Sequence, residues 1–307
     1  MKSYDIEVKP FLKWAGGKSQ LLSTIEDNFP KEIKKSRKID KYFEVFVGGG
    51  ALYFHLMNNY EVDESYLYDI NPEIILTYNV IKNDPKELID LLLGLQDEYI
   101  SLEQDGRKEY YFNIRSKFNE DLADFDYDNY SDAHVIRASQ VIFMNKTCFN
   151  GLFRLNRKGE FNVPHGRYKN PLICDKDNIM AVSKTLENTY VINGNYDESE
   201  ELIDENSLVY LDPPYRPLKN TSSFTTYAGF EFTDKHQIEL AEFYKRISDK
   251  GAKAILSNSD PKNEDPNDNF FDELYSKFTI ERVKANRSIN SKASKRGKIN
   301  EILVRNY

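Results

Sequence analysis

The chain has 307 residues, with 42 basic and 50 acidic side chains for a formal charge of −8, and 40% of it is hydrophobic. That length fits two domains or one large α/β unit with an insertion, and the apolar content is enough for a core, which excludes global disorder. Its two cysteines, Cys148 and Cys174, exclude a disulfide framework and a multi-cysteine zinc site and fit a reducing compartment.

The longest apolar runs, such as residues 89–95, fall far short of the roughly 20 residues that span a bilayer. Residues 1–10 alternate charged and apolar side chains and lack the apolar stretch of a signal peptide, so the expectation is a soluble cytoplasmic protein. The excess of acid argues against a nucleic-acid partner, because a duplex is a dense line of negative charge.

In chain order, strand-like runs occur at residues 42–47 (YFEVFV), 66–69 (YLYD), 190–192 (YVI) and 207–211 (SLVYL). Three more follow at 252–256 (AKAIL), 278–284 (FTIERVK) and 301–305 (EILVR). Helical patterns lie between them, at 51–58, 72–82 and 234–247. This alternation predicts an α/β fold with a mostly parallel sheet covered on both faces. The middle of the chain is helical in character, with apolar stripes at Leu88, Leu91, Leu92 and Leu95 and at Val135, Ile142 and Phe143. Between residues 97 and 132 stand eleven acids against four bases, the composition of a solvated face. The expected organisation is therefore an α/β domain made of residues 1–84 and 176–307, split by a mainly helical insertion at 85–175.

Three short stretches carry the chemistry. Phe46-Val47-Gly48-Gly49-Gly50 follows a strand and precedes a helix, where glycines allow positive φ and close approach of a ligand. Asp69 ends the next strand at the spacing of an acid that holds ribose hydroxyls. Tyr53 stands where the third glycine of a pyrophosphate-binding turn would be, so a nucleoside-type cofactor without pyrophosphate fits better than a dinucleotide. Trp14, within FLKWAGGK, fits either plain core packing or, with Lys18, a pocket for an adenine ring and a carboxylate. A P-loop is excluded there, because Leu12 occupies the position of its first glycine. Asp212-Pro213-Pro214-Tyr215 ends the strand SLVYL, at the sheet edge where open α/β folds bind ligands. The prolines stiffen the chain and remove two N–H donors. A carboxylate and the Pro213 carbonyl can together accept both hydrogens of an amino group, and Tyr215 offers a flat face to an aromatic ring.

In these residues the chain resembles the Dam-type (α-group, D12-class) DNA adenine-N6 methyltransferases, over nearly its whole length. The order KWAGGK, FVGGG, DNA-reading insertion, DPPY is that of the family. The narrower block FNGLFR, residues 149–154, continues as GEFNVP at 159–164 and Gly166-Arg167-Tyr168, and Arg287-Ser288-Ile289-Asn290-Ser291 follows near the C-terminus. The resemblance implies a Rossmann-like S-adenosylmethionine-dependent methyltransferase fold with a mostly parallel seven-stranded sheet and a helical DNA-recognition insertion. It implies S-adenosylmethionine against Trp14, Lys18, Phe46, Gly48, Gly50, Asp69 and Asp212, with Asn195 and Tyr196 beside its adenine. Two positions depart from the family pattern: Asn195 replaces an acid, and Val45 replaces the proline before the glycine turn.

The implied substrate is double-stranded DNA containing GATC, bound by a monomer. Its target adenine is flipped out of the stack so that a poorly nucleophilic amino group can be reached. Asp212 and the Pro213 carbonyl then take the two N6 hydrogens, Tyr215 stacks on the base, and the nitrogen lone pair faces the sulfonium methyl. Arg154 is implied to read a guanine edge, Asn150 and Leu152 the inner base pairs, and Lys13 the outer guanine. Pro164 and Tyr168 are implied near the thymine and the DNA backbone, with Arg167, Arg287 and Asn290 as further DNA contacts. Residues 145–170 carry six bases against one acid and residues 282–298 seven bases with no acid, so the net charge conceals two basic windows.

No metal is implied: His55, His134, His165 and His236 are scattered without ligand spacing. Neither cysteine follows a proline, which disfavours cytosine-C5 methylation through a cysteine nucleophile. The alternatives are an amino-methyltransferase of the same mechanism acting on cytosine N4 or at another site, and a sequence-specific DNA-binding protein without catalysis. A dinucleotide-dependent oxidoreductase is disfavoured by the missing third glycine.

Overall fold

A computed structural model of the chain describes residues 6–14, 18–156, 158–216, 226–227, 230–286 and 298–307. The elements begin with α1 (Leu22–Asp27), α2 (Lys31–Ser36), β1 (Lys38–Glu44), α3 (Ala51–Asn59) and β2 (Glu61–Asp69). Next come α4 (Pro72–Asn83), α5 (Pro85–Ser101), α6 (Gln104–Glu120), α7 (Asp132–Thr147), α8 (Lys176–Thr185), β3 (Thr189–Asn193) and β4 (Ser207–Leu211). The two-residue strands β5 (Thr226–Tyr227) and β6 (Phe230–Glu231) precede α9 (Asp234–Asp249) and β7 (Lys253–Ser259). The last three are α10 (Phe270–Leu274), β8 (Thr279–Asn286) and β9 (Lys298–Arg305).

The seven long strands form one sheet in the order β3-β2-β1-β4-β7-β9-β8. Pairings β1–β2, β1–β4 and β4–β7 are parallel, whereas β9 runs antiparallel to both β7 and β8. All seven strand-like runs of the sequence are strands, and the sheet is mostly parallel, as expected. β1 differs in register from its sequence run: it ends at Glu44, because the chain turns out of the strand before Phe46. No helix among the described residues is long and apolar enough to cross a membrane.

Contacts divide the chain into two compact units. One comprises Lys18–Val47, Asn59–Tyr68 and Gly194–Tyr307 and holds β1, β4 and β7–β9. All five residues of β4 are buried, as a central strand covered on both faces requires. Helix α9 buries Leu240, Ala241, Phe243, Tyr244 and Ile247 on one stripe, and the Tyr244 hydroxyl donates to the Ala254 carbonyl of β7. Its N-terminus is closed by a capping box between Thr233 and His236.

The other unit comprises the chain up to Gly17 with Gly48–Asn58 and Asp69–Asn193. Its central helix is α7, which packs on α4, α5 and α6 and buries Val135, Ala138, Val141, Ile142, Phe143 and Met144. The stripe on α5 is Leu88, Ile89, Leu92 and Tyr99; Leu91, which the sequence spacing put in the core, is exposed. Arg137 of α7 is buried and paired through Nε with both carboxylate oxygens of Glu73 at 3.0 and 2.9 Å, while its guanidinium lies over the rings of Phe118 and Phe125. All eleven acids between residues 97 and 132 are exposed. This division follows contacts, whereas the 85–175 boundary is a functional expectation.

Candidate active site and nucleic-acid interface

Asp212 leaves the C-terminal end of β4, half-buried, and three groups of the same unit fix it. Ser257, on neighbouring β7, donates its hydroxyl to Oδ1 at 3.0 Å, and Tyr210 and Ser257 share a hydrogen bond of 2.9 Å behind it. The buried Lys18 ammonium lies 2.9 Å from the same Oδ1. Burial pushes the Asp212 carboxyl above the usual carboxylate range, and Lys18 and Ser257 oppose that shift. Tyr215 turns its ring towards Lys18, with Nζ 4.3 Å from the ring centre, and donates its hydroxyl to Glu301 Oε2 at 2.6 Å. Burial also raises Glu301, again opposed by Lys18.

The two prolines between Asp212 and Tyr215 are braced from α9 and β7. Gln237 donates to the Pro214 carbonyl at 3.1 Å and is itself held by Asn258. Among the described residues none donates to the Pro213 carbonyl. Just beyond, Arg216 pairs with Asp234 and Asp268 at 2.7 Å each. A carboxylate, an adjacent carbonyl and a ring are thus set at one strand end, the arrangement that an amino group on an aromatic base requires.

The glycine turn lies in the other unit from Gly48 onwards. Gly48 and Gly50 adopt φ of +46° and +65°, which L side chains rarely take. A Cβ on Gly48 would fall 2.5 Å from Trp14 Nε1, so the indole is seated directly on the turn. The Gly48 N–H donates to Asp69 Oδ2 and the Asn71 N–H to Oδ1, both at 2.9 Å, and Asp69 is buried. Trp14 also stacks on Phe153, with centroids 5.7 Å apart.

Phe46 and Tyr196 form a ring pair at 5.6 Å, with Phe232 edge-on to Phe46 at 6.1 Å. The exposed Asn195 uses its side-chain oxygen to cap the short turn that begins at Tyr196.

The stretch expected to read DNA folds around Asn145. Its side chain accepts the Lys13 N–H at 2.8 Å and donates to the carbonyls of Lys13 and Gly151 at 2.9 and 3.1 Å. Gly151, at φ +62°, is needed there, because a Cβ would collide with the Lys13 side chain. The Lys13 ammonium lies 4.7 Å from the centre of the Tyr168 ring, and these two with Lys146, Lys169 and Asn170 line a cavity of about 350 Å³. Burial, then Lys13, lowers the Lys146 ammonium below its usual range.

Arg154 is exposed on a small loop closed by a Leu155–Phe161 bridge. Its Nε donates to Asn162 Oδ1 at 2.7 Å, which aims the guanidinium. Leu152 is half-buried; Pro164 is exposed and its carbonyl accepts the Phe149 N–H at 2.8 Å. Two non-glycine residues here, Asn150 and Arg167, take positive φ of 58° and 56° and are exposed. Arg287 and Asn290 lie outside the described residues. Both cysteines are buried, which pushes Cys148 up to about 12 and Cys174 up to about 11, far from a thiolate nucleophile.

Sequence reading missed Ser257, Glu301, Gln237 and Asn162. Ser257-Asn258-Ser259 does leave a signal, polar residues at the end of an otherwise apolar strand. Glu301 leaves none, because only the insertion of β9 beside β7 brings it to the site.

A mostly parallel seven-stranded sheet, with a glycine turn after its first strand and Asp-Pro-Pro-Tyr after its fourth, is the arrangement of a Rossmann-like methyltransferase. The family model described as D12 class N6 adenine-specific DNA methyltransferase matches residues 14–289, and the chain belongs to that family. Among similar proteins, the type II methyltransferase M.MjaIII of Methanocaldococcus jannaschii is 50% identical over 98% of this chain and 100% of its own. The type II methyltransferase M1.LlaDCHI of Lactococcus lactis is 38% identical, over 98% of this chain and 96% of its own. The DNA adenine methylase of Escherichia coli K12 is 31% identical, over 96% and 94%.

Proposed function

We propose that this adenine-specific DNA methyltransferase uses S-adenosylmethionine to methylate N6 of an adenine flipped out of duplex DNA, within GATC. The observation that carries the reading is Asp212, fixed at the end of β4 by Ser257 and Lys18, beside the Pro213 carbonyl and the Tyr215 ring. Asp212 and that carbonyl accept the two N6 hydrogens and draw the nitrogen towards tetrahedral geometry, so its lone pair is available for attack. Tyr215 stacks on the extruded base, offsetting part of the few kcal/mol that flipping costs.

The donor set suits the cofactor. Asp69, oriented by two backbone N–H groups, takes ribose hydroxyls; Trp14 offers a face for an adenine ring; Phe46 and Tyr196 form a ring pair of their own; Lys18 offers an ammonium for the carboxylate. Gly48 and Gly50 let the backbone come close, Asp212 borders the methyl-transfer position, and Asn195 holds the turn that presents Tyr196. S-adenosylmethionine supplies an already activated methyl group, so the residues need only position and accept.

The FNGLxR…GxFNVPxGxY block supports GATC. Arg154, aimed by Asn162, reads a guanine edge; Asn150 and Leu152 face the inner base pairs; Lys13 takes the outer guanine. Pro164 and Tyr168 lie near the thymine and the DNA backbone, with Arg167, Arg287 and Asn290 as further DNA contacts. Residues 85–175 thus act as the target-recognition insertion of a monomer working in the cytoplasm. The acids of residues 97–132 are exposed to solvent, and DNA binding is carried by the basic windows rather than by the net charge, so it weakens with salt.

The test is incubation with methyl-labelled cofactor and duplexes that carry GATC or a scrambled site. Label confined to the GATC duplex supports the reading; equal labelling of both rejects the site assignment.

A further inference from the structure

Helix α6 carries Tyr111, Arg115 and Asn119 at the spacing that puts side chains on one helix face, and that face closes the open edge of the loop bearing Arg154. The two arms of the loop are joined by backbone bonds from Asn156 N to the Glu160 carbonyl at 2.8 Å and from Asn162 N to the Arg154 carbonyl at 3.1 Å. These bonds flank the Leu155–Phe161 bridge, so the N–H and C=O of Phe161 point away from the facing arm, as they do in any antiparallel pair that is not itself hydrogen-bonded. Asn119 takes both groups: its Oδ1 accepts the Phe161 N–H at 2.8 Å and its Nδ2 donates to the Phe161 carbonyl at 3.1 Å. Beyond Asn162, the Tyr111 hydroxyl donates to the Val163 carbonyl at 2.7 Å, and Arg115 donates to the same oxygen at 3.3 Å. Side chains of α6 thus do for this loop what a third strand would do, and they pin the residues on either side of Asn162.

We infer that Asn119, supported by Tyr111, is a positioning residue for sequence discrimination: it fixes the backbone around Asn162, so that Arg154 meets the DNA already aimed. This role rests on the function proposed above, in which Arg154 reads a guanine edge. Arg154 is exposed, and its guanidinium makes two hydrogen bonds to Asn162, from Nε to Oδ1 at 2.7 Å and from Nη2 to the main-chain carbonyl at 3.4 Å. Its direction therefore follows the backbone of Asn162 as well as that side chain. A long side chain gives up rotamer freedom when it engages a base, and one that is held beforehand gives up less. Phe161 and Val163 are buried, so sliding the loop along α6 would leave their backbone groups without partners, which is what holds the register. Asn119 touches no DNA in this role; it acts through Asn162 and Arg154.

Asn119→Ala removes both bonds to Phe161 and tests the role through kcat/KM on duplexes altered one base pair at a time. Selectivity should fall by about fivefold at the base pair where Arg154→Ala also loses it, the lower end of what an arginine–guanine contact discriminates. Selectivity at the other base pairs, and calorimetric affinity for S-adenosylmethionine, should stay within about twofold, as for sites that do not couple. Added to Arg154→Ala, the substitution should cause no further loss at that pair, because the side chain it aims is gone. A folded Asn119→Ala protein with unaltered selectivity overturns the inference. So does an even loss of rate on every duplex, which is what a merely structural role produces, or a further loss at that pair on top of Arg154→Ala. If Asn119→Ala does not fold, Asn119→Asp takes its place with the same outcomes, since it keeps the shape and the acceptor and lacks only the donor to the Phe161 carbonyl. Arg154→Ala alone is the separate control. Unaltered selectivity in that variant rejects the reading of Arg154, whereas a loss there with none in Asn119→Ala confines the failure to Asn119.

Discussion

Ser257, on β7, donates its hydroxyl to Asp212 Oδ1 at 3.0 Å, so the central carboxylate of the site is oriented by the neighbouring strand rather than by its own loop. The carboxylate needs this support because burial disfavours its charge, and the ionised form is the one that accepts hydrogens.

Asp212→Asn should therefore lower kcat by about 10²-fold or more, the scale of losing one preorganised electrostatic group. The pH dependence has a defined sign. The carboxyl is raised by burial, so it protonates at higher pH than an ordinary aspartate, and transfer fails as pH falls through that raised value. The acid limb of kcat/KM in the unaltered enzyme should accordingly lie above 3.8. A steady-state pH profile checks both.

Gly48→Ala tests the seat of the indole. The new Cβ would meet Trp14 Nε1 at 2.5 Å, at a φ that costs an L residue about 1–2 kcal/mol. Trp14 is the chain's one tryptophan, so its emission reports the displacement directly. The variant should show a shifted emission maximum and weaker cofactor binding by calorimetry.

Arg154→Ala should relax discrimination at one base pair, at a cost of about 1–3 kcal/mol in kcat/KM for the preferred site. Asn162→Ala should move specificity in the same direction by a smaller amount, because it only frees the guanidinium that Asn162 holds at 2.7 Å. Rates on duplexes altered one base pair at a time measure both effects.

Much of this was legible in the sequence. Asp212-Pro213-Pro214-Tyr215, the glycine turn and Asp69 are local strings, and each sits at a strand end because an apolar run stops beside it. All seven strands announced themselves through β-branched and aromatic runs. What brings Ser257 and Glu301 to Asp212 is strand order: β7 pairs in parallel with β4, and β9 enters antiparallel between β7 and β8, long-range pairings that no local pattern encodes. Leu91 misled for a related reason, since α5 turns Ile89 rather than Leu91 into the core of its unit.

Arg137→Ala should be the most destabilising of these substitutions, by about 3–5 kcal/mol, because it takes the cation from a buried Glu73 and leaves it the Tyr127 hydroxyl as donor. Denaturant unfolding measures the loss, and a loss below about 1 kcal/mol would place the pair among weak surface bridges.

The central claim is that Asp212 and its neighbours present adenine N6 for methylation within GATC. The most direct measurement is nucleoside analysis of a duplex with a single GATC after incubation with the enzyme and S-adenosylmethionine. The account predicts N6-methyladenine, at the adenine of that site alone. N4-methylcytosine, or N6-methyladenine spread over other sequences, would contradict it.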